Sequence, residues 1–137
     1  MLTFSSLTLK AQTLNFEETV KYIQDKFECC AWESYACGKL QTISKYGRLT
    51  FEKRSIDLFD WTFDEYENLG NYQPYTHLAF IYNQDYIRIL WKYNEGQYDT
   101  EGYDIANFHT PGDAEKVYNA FKHLKTLCTP EVDPFGN

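Results

Sequence analysis

A chain of 137 residues is of single-domain size, long enough to bury one hydrophobic core. Its 20 acidic residues outnumber 13 basic ones, giving a formal net charge of -7. That balance argues against nucleic acid or an anionic membrane surface as a partner, because both are held by concentrated Lys and Arg, and no apolar run approaches the roughly 20 residues of a transmembrane helix.

The first dozen residues, Met1 to Gln12, are mildly apolar and carry a small residue, Ala11, where a signal peptidase would cut. They read as the remnant of a secretory signal peptide, so the expected location is periplasmic or secreted, with a cytoplasmic protein as the alternative. Residues 13–130 form the expected globular domain and 131–137 a loose tail. A first helix begins at Asn15, where Asn15 and Glu18 have the spacing of a capping box. Phe16, Val20, Ile23 and Phe27 make its apolar stripe, and Cys30 continues it. Residues 31–38 read as an irregular connection.

Strand signals start at Lys39. Leu40 to Ile43 leads to a turn at Lys45-Tyr46-Gly47-Arg48, and Arg48 to Lys53 alternates polar and apolar residues. Ile56 to Trp61 is the next expected strand, followed by a polar loop from Asp64 to Pro74. His77 to Tyr82 and Tyr86 to Tyr93 form a second hairpin, and Tyr103 to His109 is the last strand. A closing helix then runs from the cap Thr110, with Pro111 at its first position, through Ala114, Val117, Tyr118, Phe121 and Leu124 to Cys128. The expected class is therefore α+β, with about six or seven antiparallel strands between an N-terminal helix and a C-terminal capping helix.

The order of strands followed by one closing helix, over Lys39 to Cys128, resembles the pleckstrin-homology-like superfold. That resemblance implies a half-open barrel of two antiparallel sheets plugged by the last helix. Phe16 to Ile23 with Cys29-Cys30, and Ala114 to Tyr118 with His123 to Cys128, also resemble small exported proteins of Bacteroidota. This second resemblance implies export and no particular activity.

The four cysteines are Cys29, Cys30, Cys37 and Cys128. In an exported chain they allow three disulfide pairings. Cys30–Cys128 with Cys29–Cys37 comes first, because it ties the two helices together and closes a loop worth about 4–5 kcal/mol in the chain-entropy model. Cys29–Cys128 with Cys30–Cys37 follows, and the strained pairing of neighbours comes last. Buried thiols are the alternative to any bridge. The spacing is not that of a structural zinc site.

No nucleophile motif accompanies the three histidines, His77, His109 and His123, and no cofactor is expected. Tyr66, Tyr72 and Tyr75 lie in the polar loop, and exposed aromatics of this kind mark contacts with protein or carbohydrate. The functional expectation is a non-enzymatic binding or interaction module of unidentified ligand and oligomeric state. The alternative is a small metal-dependent or hydrolytic enzyme built on the acidic Asp57/Asp60 region.

Overall fold

A computed structural model describes residues 13–65, 78–83, 85–90, 102–132, 134 and 135. The signal-peptide segment 1–12, the tyrosines Tyr66, Tyr72 and Tyr75, and His77 lie outside the described residues.

Helix α1 spans Phe16–Cys30 and α2 spans Pro111–Leu127. Both begin as their sequences dictate. The Asn15 side chain accepts from the Glu18 backbone N–H at 2.9 Å, and the Glu18 carboxylate accepts from the Asn15 N–H at 3.1 Å, so two orphan donors of the first turn are satisfied reciprocally. Thr110 accepts from the Asp113 N–H at 3.2 Å, with Pro111 directly behind it. On α2 the residues Ala114, Val117, Tyr118, Phe121 and Leu124 are all buried, which is one continuous stripe at helical spacing.

Between the helices run strands β1 (Ala31–Trp32), β2 (Leu40–Ile43), β3 (Arg48–Phe51), β4 (Ser55–Asp57), β5 (Trp61–Glu65), β6 (Leu78–Asn83), β7 (Tyr86–Leu90) and β8 (Tyr103–Phe108). They form two sheets, a three-stranded meander β2-β3-β4 and a five-stranded sheet in the order β1-β8-β7-β6-β5. The chain is α+β, as expected, with three departures from the sequence reading. The expected strand over Ile56 to Trp61 is broken by a 3-10 turn, Leu58–Asp60, because Asp57 turns its carboxylate onto the Phe59 N–H at 2.9 Å and caps it. The chain then re-enters a sheet as β5, which extends into the expected loop and pairs with β6 in parallel rather than as a hairpin. Residues 31 and 32, expected to be irregular, form β1 and pair with β8.

The core lies between the helices and both sheets, centred on Ile23, Leu49, Leu58, Ile87, Phe108 and Phe121. Phe27 of α1 ties its parts together. Its ring meets those of Phe51, Phe108 and Phe121 at centroid distances of 6.0, 5.5 and 6.2 Å, so one side chain contacts both sheets and the second helix. The hairpin turn before β3 needs Gly47, whose φ is 84° and whose position would set a Cβ 3.1 Å from the Phe59 ring.

The two helices are fastened at one point by Lys26 and Asp113, 2.8 Å apart and mostly buried. The Lys26 ammonium holds the Asp113 carboxyl below its ordinary range, and Asp113 in turn holds Lys26 above its own. A depressed carboxyl contributes stability that is present above its unfolded pKa of about 4 and lost as pH falls through the folded value. The difference in melting temperature between the native chain and Asp113→Asn should therefore be clear at neutral pH and vanish in strong acid.

The cysteines require a correction. The structure joins Cys29 to Cys30, the pairing placed last, and leaves Cys37 and Cys128 as buried thiols. The inter-helix bridges Cys30–Cys128 and Cys29–Cys128 and the local bridges Cys29–Cys37 and Cys30–Cys37 are not formed. Cys128 instead ends α2, where its Sγ lies 4.0 Å from the Ser44 carbonyl, and Cys37 packs under the chain at Ser34 and Asp104. Burial pushes both thiols up in pKa, away from the reactive thiolate. Cys128→Ser should thus destabilise by about 1–2 kcal/mol through the buried hydroxyl, and by the same amount in oxidising and reducing buffer, as denaturant titrations in the two would show.

Candidate functional site

Among the described residues a trough of about 520 Å³ lies between the C-terminal end of α1 and the edges of the two sheets. Phe27, Ala31, Leu40 and Ile105 supply buried or half-buried apolar surface to it. Gln24, Glu28, Glu33, Lys39 and Gln41 are exposed and put amides, carboxylates and one ammonium around it. Trp32 also lines it and is 64% exposed.

Each wall has a local cause. Helix α1 stops at Cys30, and Ala31 is already extended, with φ -130° and ψ 147°. No loop intervenes, so the alternation of a strand applies at once. Ala31 turns toward the core and Trp32 toward solvent. Pairing of Ala31 with Phe108 and Trp32 with Asn107, and the His109 N–H donating to the Cys30 carbonyl at 2.8 Å, fix the backbone beneath the indole. The His109 ring packs on the indole with centroids 4.4 Å apart, so Trp32 is held in place as well as exposed.

The opposite wall is the turn from Ser34 to Lys39. The buried Ser34 hydroxyl is its hub. It donates to the Asp104 carbonyl at 2.5 Å and accepts from the backbone N–H groups of Ala36 and Cys37 at 3.2 and 3.1 Å. Gly38, with φ 74°, lets the chain pass beside Glu52, where a Cβ would come within 3.0 Å of the Glu52 Cβ. The Glu52 carboxylate accepts from the Lys39 N–H at 2.7 Å. Lys53 and Arg54 donate to the carbonyls of Tyr35 and Ala36 at 2.8 and 3.0 Å.

The floor comes from a β-bulge. On β8, Ala106 pairs with Ile87 and Asp104 with the next residue, Arg88, so Ile105 is the extra residue. As a result Ile105 and Ala106 are both buried although they are consecutive. The bulge delivers Ile105 to the trough and presents the Asp104 carbonyl to Ser34, while the Asp104 carboxylate pairs with Arg88 at 2.7 Å.

The sequence-based candidates lie elsewhere. Asp57 is occupied in capping the 3-10 turn, Asp60 is exposed at its end, and no group of three metal-ligating side chains is found among the described residues. His123 donates through Nε2 to the Leu14 carbonyl at 2.7 Å, which ties the start of the described chain to α2. Beside it a smaller cavity of about 270 Å³ lies between the helices. Among the trough residues, Trp32, Gln24, Gln41 and the positioning residue Ser34 were not singled out from the sequence. The available signal was a tryptophan standing outside every periodic segment, between the end of a helical stripe and Gly38.

Comparison with protein-family models, curated proteins and solved structures finds no match for this chain. None of the helices in the described residues is long and apolar enough to cross a membrane.

Proposed function

We propose that this protein is a non-enzymatic binding module whose ligand lies in the Trp32 trough. The observation that carries this reading is a fixed, solvent-facing indole beside a concavity of about 520 Å³ with an apolar floor and a polar rim. Ligand sites are typically concavities of a few hundred Å³ with apolar surface and a few placed polar groups. Among the described residues the rim holds hydrogen-bonding groups without a nucleophile paired to a base, which favours retention of a ligand over its conversion. The enzyme alternative at Asp57 and Asp60 is disfavoured because one carboxylate is already engaged with the backbone. We read the protein as exported, on the character of its first dozen residues and its resemblance to exported Bacteroidota proteins. The half-barrel reading rests on the presence of two sheets followed by α2; α2 packs on β6, β7 and β8 of the larger sheet, and the parallel β5–β6 pair departs from an all-antiparallel barrel.

A nuclear magnetic resonance screen with a library of small polar compounds tests the site. Binders should shift the Trp32 indole N–H and the side-chain amides of Gln24 and Gln41. Binders that gather at Asp57 and Asp60 instead, or a library that moves none of the trough resonances, would overturn the assignment.

A further inference from the structure

We infer that the trough takes a short neutral oligosaccharide, an inference that rests on the trough being the binding site. A sugar ring has an apolar C–H face and an equator of hydroxyls that both donate and accept. A flat, exposed indole held on a strand provides the surface for the first. Side-chain amides and carboxylates around it provide for the second, since Gln24 and Gln41 donate and accept while Glu28 and Glu33 accept from hydroxyls.

The other ligand classes fit less well. An anionic ligand would meet two carboxylates, Glu28 and Glu33, against one ammonium, Lys39. A peptide added as a strand needs a sheet edge of useful length. On one side of the trough β1 offers two residues, and on the other the edge strand β2 is interrupted by a register shift between Leu40 and Thr42. An organic cation is usually caged by several aromatic faces; among the described residues the trough has two aromatic side chains, the exposed Trp32 and Phe27, whose ring is engaged with Phe51, Phe108 and Phe121 in the core.

The probes are short neutral oligosaccharides of glucose and of N-acetylglucosamine, an oligogalacturonate, spermine and an extended peptide, each titrated into the whole chain with resonance shifts and calorimetry as readouts. A neutral sugar should move the Trp32 indole resonance. Trp32→Ala should weaken its binding by about tenfold or more, and Trp32→Phe, which keeps a flat ring, by only a few fold. Gln41→Ala, an exposed change with no burden on folding, should weaken it several fold, and the melting temperatures of all three variants should stay close to that of the native chain. Trough resonances that respond to the peptide, spermine or galacturonate and not to neutral sugars would overturn this inference while leaving the binding-module reading standing. Neutral sugar binding unchanged in Trp32→Ala and Gln41→Ala would overturn it too, since the sugar would then sit elsewhere.

Discussion

Phe108→Ala is expected to lower the unfolding free energy by about 3–5 kcal/mol, the range for removing a fully buried phenylalanine. Phe108 is 1% exposed and packs edge-on against Phe27 at 5.5 Å and 74°. Its backbone is held from two sides, by the pairing with Ala31 and by the N–H donated to the Asp85 carbonyl at 2.6 Å. The polypeptide around it is therefore poorly able to collapse into the space left, which puts the cost at the upper end of that range. Urea titrations would measure it. A double-mutant cycle with Phe27→Ala should return a coupling of about 0.5–1.5 kcal/mol beyond the loss of buried area, since the two rings are in direct contact.

Ser34→Ala should cost about 2–3 kcal/mol, a large effect for the loss of one oxygen atom. The hydroxyl serves three backbone groups, the carbonyl of Asp104 and the N–H groups of Ala36 and Cys37. Alanine leaves these without their partner, and the Cys37 side of the turn is buried. The same substitution should weaken ligand binding at the trough, because the turn it releases carries Lys39 and leads into Leu40. Threonine keeps the hydroxyl, so Ser34→Thr should recover most of the loss where its methyl group is accommodated. Thermal melts of the three chains, followed by ligand titration, separate the two effects.

Both helix starts were legible in the sequence because capping is a local matter, settled by Asn15 with Glu18 and by Thr110 with Asp113. The hairpin at Gly47 and the β6–β7 pairing were legible for a similar reason, since a turn signal and an alternating pattern lie within a few residues of each other. Three features were not. Strand β1 is two residues long, too short for any period to register, and its partner β8 is remote in sequence. The parallel alignment of β5 with β6 is a choice of topology that alternation within a strand does not encode. The cysteine pairing is not legible because two residues on inner helix faces need not meet: Cys30 bonds to its neighbour Cys29, while the Cys128 thiol lies against the Ser44 carbonyl. The site escaped for a compound reason. Trp32 belongs to β1, the floor residue Ile105 is delivered by a bulge, and their meeting depends on the long-range pairing that composition does not reveal.

That pairing also sets a schedule. Trp32 is translated 75 residues before Asn107, the residue it lies opposite, as 107 less 32 shows. At about 5–20 residues per second the delay is on the order of 4–15 s. Through that interval the indole has no strand to lie on and the floor of the trough has not been made. Cys29, Cys30 and Cys37 all precede Cys128 by a still longer margin, so the adjacent pair can close while the last helix is still unwritten. A growing chain thus has no complete trough until nearly the whole domain has emerged, when β8 arrives beside β1.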